Sequence, residues 1–126
     1  GDNPDVAGLV MKHENGAIST LNAGYASAGE NYVMNIYGKD ASALFSLHTG
    51  MYHVKRGEKE PVKMEFEAND TIAEQMEEFG DCIRTGAEPE VGGEWAARSL
   101  AVIRAGVKSA REKRYVEIAE IMESGE

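Results

Sequence analysis

The order of the hydrophobic patterns along the chain places the strongest limit on its fold. In the first half, apolar residues alternate with a period of two, which is typical of half-buried β-strands. From residue 69 onward they recur at spacings of three and four, which is typical of amphipathic helices. No helical segment interrupts the strands, so nothing forces a parallel pair. The pattern predicts an α+β fold: an open antiparallel sheet of about six strands with two C-terminal helices packed on one face.

Turn-forming residues divide the first half into strands. Asn15-Gly16 is typical of a type I′ hairpin, in which both central residues have positive φ. The segment ASAGEN (residues 26–31) is a loop of small and turn-forming residues. The predicted strands span residues 8–13, 17–25, 32–37, 43–48, 52–56 and 62–66.

The second half predicts two helices and a short final strand. Asn69, Asp70 and Thr71 are all good N-cap residues, and Thr71 has the spacing of a capping box with Glu74. Gly86 stands where the residue after a helix belongs. A second helix opens at Gly92-Gly93 and is rich in small residues, which allow close packing against a sheet. Residues 114–118 predict a terminal strand. The apolar stripe of the first helix consists of Ile72, Met76, Phe79 and Ile83.

Composition indicates a soluble single domain and excludes several classes of function. The chain has 126 residues, and its net charge of −9 argues against a nucleic-acid partner. No apolar run approaches the roughly 18 residues of a membrane span. Cys82 is the only cysteine, so no internal disulfide can form, and we expect a cytoplasmic protein.

The sequence offers no constellation for catalysis. No glycine-rich loop stands between a strand and a helix, as dinucleotide binding requires. The histidines occur singly on strands, without a carboxylate spaced to orient them or a second metal ligand nearby. Ordinary surface histidines are the simplest interpretation. We therefore expect no catalytic, cofactor-binding or metal-binding residue in this chain.

Several short motifs nevertheless follow one another in a characteristic order, most of them in the last third of the chain. They are Ile36-Tyr37-Gly38, Glu78-Phe79, Asp81-Cys82-Ile83, Thr85-Gly86, Glu88-Pro89-Glu90-Val91, Gly93-Glu94, the small-residue helix of residues 96–110, and Arg114-Tyr115-Val116-Glu117-Ile118. In this order they resemble the C-terminal domain of the Gfo/Idh/MocA oxidoreductases (glucose–fructose oxidoreductase / inositol dehydrogenase), and the resemblance covers nearly the whole chain.

The resemblance implies that this domain works beside a Rossmann domain that binds NAD or NADP. It implies a parent enzyme acting on a sugar, inositol or related polyol, whose catalytic Glu-Lys-Pro motif lies in the part that precedes this domain. Residues 1–126 would then be one domain that is truncated at its N-terminal side, and we expect it to be inactive alone. The alternative is a stand-alone, non-catalytic binding or assembly module derived from it.

Two helices cover only one face of a six-stranded sheet, and the uncovered face carries apolar residues. Both this reasoning and the resemblance predict a homo-oligomer that associates through the open face.

Four residues are candidates for substrate contact. The resemblance places Asn22, Tyr25 and Asn31 in the region that faces the nicotinamide and the substrate, where their polar groups suit sugar hydroxyls. His48 stands out among the histidines because it lies at a strand end beside Thr49-Gly50. The alternative for all four is a polar side chain that faces water.

Overall fold

The structure is a computed structural model that describes residues 5–26, 28–67 and 69–124. These residues group into two compact units, one within the first 68 residues and one from Asn69 onward. Six strands occupy the first unit and three helices the second. The α+β class and the C-terminal position of the helices are therefore confirmed.

The first two strands form a hairpin whose turn differs from the prediction. Strand β1 (Val6–Lys12) pairs antiparallel with β2 (Ile18–Gly24). Gly16 has a φ of 85°, but Asn15 does not have positive φ, so the type I′ prediction is wrong. The Gly16 N–H donates to the His13 carbonyl and the Asn15 side chain accepts from the Ala17 N–H. This is the longer hairpin loop, in which only the glycine enters the left-handed region.

The other four strands form a separate antiparallel sheet in the order β3-β4-β5-β6. Six strands are thus confirmed, but the structure divides them between two sheets instead of one. The predicted loop of residues 26–31, of which Ser27 lies outside the described residues, separates β2 from β3 along the chain. The strands are β3 (Val33–Tyr37), β4 (Ala41–Ser46), β5 (Gly50–Lys55) and β6 (Val62–Met64).

Gly38 occupies the tight turn between β3 and β4. Its N–H donates to the Ala41 carbonyl at 2.9 Å, and a Cβ at this position would lie 2.8 Å from that same oxygen. Arg56 holds the turn from the neighbouring strand: its N–H donates to the Asp40 carbonyl and its guanidinium to the Lys39 carbonyl, each at 2.8 Å. The glycine of the Ile-Tyr-Gly motif is therefore required by a close backbone approach.

Helix α1 (Thr71–Thr85) begins one residue earlier than its capping-box pattern indicates. Asp70 is the N-cap, and its Oδ1 accepts from the N–H groups of Ile72 and Ala73. Glu74, the expected partner of Thr71, instead accepts from the Asn69 side chain at 2.7 Å. At the other end, Gly86 has a φ of 72° and its N–H reaches the Cys82 carbonyl, as predicted.

The last described residues form a helix in place of the predicted strand. Helix α2 (Gly93–Glu112) stops at Lys113, which has left-handed φ and ψ of 55° and 41°. An extended segment follows and leads into a third helix, α3 (Ile118–Ser124). The predicted strand at residues 114–118 is wrong because this segment packs on α2 and pairs with no strand.

Among the described residues, the buried hydrophobic side chains all lie in the second unit. Ala101 and Ala105 of α2 meet Val116 and Ile121, with Ile118 beside them. The small-residue face of α2, expected to lie against a sheet, thus packs against α3. The predicted apolar stripe of α1 is exposed, as is a second stripe on α2 made of Trp95, Leu100, Ile103 and Val107.

Candidate functional site

The register of the four-stranded sheet collects polar and apolar side chains on one face. Val33 lies opposite Ser46, and Asn35 lies opposite Leu44. Leu44 in turn lies opposite Tyr52 of β5. Because residues paired across an antiparallel ladder share a face, these five side chains lie together.

An open pocket of about 430 Å³ lies on this face. Its hydrogen-bonding groups are the Asn35 amide and the hydroxyls of Ser46, Thr49 and Tyr52. A concave site with mostly apolar walls and a few polar groups is what small ligands generally occupy. We call it the sheet pocket; it is lined by Val33, Asn35, Leu44, Phe45, Ser46, Thr49, Tyr52 and Pro61.

His48 ties the loop before β3 to the loop after β4. Its Nε2 lies 3.1 Å from the Glu30 carbonyl oxygen, and its backbone N–H reaches Ser46 Oγ at 3.4 Å. A carbonyl oxygen only accepts, so Nε2 carries the hydrogen of this contact, and in the neutral ring Nδ1 remains an acceptor. The neighbouring Leu47 N–H donates to the Tyr32 carbonyl. Together these bonds hold residues 30–32 against the segment that follows β4.

The structure brings together two of the four predicted contact residues. His48 lies between the pocket residues Ser46 and Thr49, and Asn31 follows the Glu30 whose carbonyl His48 holds. Asn22 and Tyr25 belong to the β1–β2 hairpin instead. The Asn22 side chain lies across Gly8, where a Cβ would be 3.2 Å from its Oδ1. Tyr25 is 94% exposed.

Sequence reasoning missed Asn35, Ser46, Thr49 and Tyr52 as site residues. Each lies on or beside a strand that the sequence predicted, but their meeting depends on which residues face each other across β3, β4 and β5. Alternation gives the face of a residue within one strand and leaves the register between strands open.

The opposite face of the same sheet is mostly apolar. By strand alternation, Met34 and Ile36 point away from the sheet pocket, and both are 60% exposed. We call this the apolar sheet face; by register its members are Met34, Ile36, Ala43, Phe45, Met51, His53, Val62 and Met64, of which Phe45 also borders the sheet pocket. The sheet therefore presents two chemically different surfaces.

Neither of the two long helices begins in a way that suits a dinucleotide pyrophosphate. At the start of α1, the Asp70 carboxylate already occupies the N–H groups that a phosphate would use. At the start of α2, Gly92 leaves these groups without a side-chain cap, but Glu94 lies in the first turn and Glu90 just before it. Their negative charge repels a phosphate. These two helix N-termini thus do not fit the pyrophosphate of NAD or NADP.

Within residues 5–26, 28–67 and 69–124, no three His, Cys, Asp or Glu side chains cluster as metal ligands would. None of the helices in this part of the chain has the length and apolar character needed to cross a membrane.

Six antiparallel strands in two sheets, followed along the sequence by three helices, make the described residues an α+β protein. Residues 2–118 match the family described as the oxidoreductase family, C-terminal alpha/beta domain. The chain belongs to this family, that of the Gfo/Idh/MocA C-terminal domains. No curated protein and no solved structure gives a significant match.

Proposed function

We propose that this chain is the substrate-side and oligomerisation domain of an NAD(P)-dependent oxidoreductase that acts on a sugar, inositol or related polyol. The observation that carries the proposal is the family match over residues 2–118, which makes the chain a domain of an oxidoreductase family. NAD or NADP would supply hydride transfer at a hydroxyl carbon of the substrate. A partner Rossmann domain would hold this cofactor, since the described helix termini do not fit it.

The sheet pocket supports the substrate-side role. A polyol presents hydroxyls that donate and accept, and Asn35, Ser46 and Thr49 offer both kinds of group. The C–H groups of such a ligand suit the apolar wall around Tyr52 and Leu44.

Backbone amide NMR of the full chain, titrated with myo-inositol and separately with glucose, tests this role. We expect the resonances of Asn35, Ser46 and Thr49 to move at millimolar ligand, as is usual for an isolated half-site. The variant Tyr52→Ala should remove the shifts, whereas Lys59→Ala, in the exposed β5–β6 loop, should keep them. Shifts confined to the hairpin would place the site at Asn22 and Tyr25. No shift in either region would count against the substrate-side role.

The apolar sheet face supports the oligomerisation role, because an exposed contiguous apolar surface on a domain marks an interaction site. Sedimentation of the full chain tests it with two variants on one strand. Ile36→Glu places a charge on the apolar face and should yield monomers. Asn35→Glu places the same charge on the pocket face and should leave the oligomer intact. A wild-type monomer at high micromolar concentration would contradict this role.

The apolar sheet face also favours the second candidate, a non-catalytic assembly module. The two experiments separate the candidates. Self-association together with polyol shifts at the sheet pocket supports the oxidoreductase domain. Self-association without any response to polyols supports the assembly module.

A further inference from the structure

Residues 114–124, which we call the C-terminal strap, run back over α2 after its end. The reversal depends on Ser109: its hydroxyl donates to the Arg114 carbonyl at 2.6 Å, and its own carbonyl accepts from the Arg114 N–H at 3.3 Å. Lys113 provides the sharp change of direction by adopting a left-handed conformation, which is normally given to glycine.

Apolar contacts hold the strap against α2. Ile121 and Val116 are 3% and 7% exposed, and they pack on Ala101 and Ala105, which are 3% and 5% exposed. These four are the buried hydrophobic residues of the described chain. The strap therefore makes the best-shielded apolar contact that the described residues contain, although it is short.

Ion pairs add a second attachment centred on Glu120. Its carboxylate accepts two bonds from the Arg114 guanidinium, at 2.7 and 3.0 Å, and pairs with Lys108 of α2 at 2.9 Å. Arg114 is further fixed by Glu112, the last residue of α2. The Lys108 and Glu120 side chains are 24% and 35% exposed, which limits screening by water compared with a fully exposed pair.

A seven-residue helix such as α3 is too short to be stable alone, because helix nucleation is costly. Its order must come from α2, and by reciprocity its docking must stabilise the part of α2 that it covers, residues 101–112. The family match ends at residue 118, so Glu120 and Ile121 lie beyond the matched span.

We propose that the C-terminal strap is a releasable clamp: its docking through Ile121 and Glu120 controls the helical order of the second half of α2, and high salt loosens it. Released, the strap uncovers the Ala101 and Ala105 face of α2. Docked, it keeps that face closed and the end of α2 folded.

Hydrogen exchange of the full chain, read by mass spectrometry, tests this device. Ile121→Ala removes most of the buried side chain and should speed exchange at residues 101–112 by about 30-fold or more. Glu120→Gln removes the charge and should speed it by about two- to fivefold. The matched controls Met122→Ala and Glu123→Gln lie on exposed positions of α3 and should change exchange by less than about twofold.

Two comparisons of exchange rates decide the test: low against high salt, and α1 against α2. At 1 M NaCl, where screening acts over only about 3 Å, wild-type exchange should approach that of Glu120→Gln, and the variant should scarcely respond. Exchange in α1 should stay unchanged throughout. Equal acceleration in α1 and α2, or wild-type protection in Glu120→Gln at low salt, would overturn the proposal. Glu120→Gln keeps the test decisive if Ile121→Ala does not fold.

Discussion

Replacing Gly38 by alanine tests how tightly the β3–β4 turn is built. The added Cβ would lie 2.8 Å from the Ala41 carbonyl oxygen, well inside normal contact distance. The turn cannot easily yield, because Gly38 itself bonds that carbonyl and Arg56 bonds the carbonyls of Lys39 and Asp40. The substitution therefore either breaks one of these hydrogen bonds or shifts the backbone of the turn.

The cost follows from this geometry. Overpacking a site that relaxes only partly costs about 1–3 kcal/mol. With an unfolding entropy of about 2.1 cal/mol/K per residue, the 126 residues give about 0.26 kcal/mol/K, so Tm should fall by about 4–11 °C. The matched control is Gly93→Ala at the start of α2, where a Cβ would meet nothing within 4 Å. There alanine should be neutral or slightly stabilising, since it is the better helix former.

Thermal unfolding followed by circular dichroism measures both variants, and hydrogen exchange of residues 33–46 locates the effect. We expect Gly38→Ala to lose protection in this segment and Gly93→Ala to keep it. Equal Tm values for the two variants would refute the argument that the Gly38 position is closed to a side chain.

Three further predictions concern single contacts. Asp70→Ala should lower the free energy of unfolding by about 1 kcal/mol in denaturant titrations, and Thr71→Ala by much less; the reverse order would restore the capping-box assignment. Hydrogen bonds from Arg114 and then Lys108 lower the pKa of Glu120 from 4.5 to about 2. Its stabilising effect should be complete above about pH 4.5 and lost as the pH falls towards 2, because the unfolded state binds the proton first. Glu120→Gln should flatten that part of the stability–pH curve, and an unchanged slope would contradict the ion pair. His48→Ala should speed amide exchange at residues 30–32 about fivefold, whereas His53→Ala should not.

The fold class could be predicted because the patterns that encode it are local. Alternation marks each strand, the stripe from Ile72 to Ile83 marks the first helix, and Gly86 marks its end. The exact start of the helix could not be predicted, because it depends on which of two neighbouring residues acts as the N-cap. Asp70 and Thr71 are both good N-caps, and the sequence does not say which side chain turns back to the helix.

The segment after α2 was harder still to predict from the sequence. Tyr115, Val116 and Glu117 alternate as a strand does, yet Val116 is buried against α2 without strand pairing. What decides this segment is the availability of Ala101 and Ala105, which lie more than ten residues earlier. The sheet pocket escaped prediction for the same reason, since it depends on contacts between strands.

Trp95 gives the chain an optical property of its own. It is the only tryptophan, it is 61% exposed near the start of α2, and the Arg98 guanidinium lies 5.5 Å from its ring centre. The emission of a water-exposed indole lies far to the red and moves to shorter wavelength when protein covers the ring. A partner that binds this end of α2 and covers Trp95 should therefore shift the emission maximum to shorter wavelength. The shift can be measured without a label, and no second tryptophan in this chain contributes to the signal.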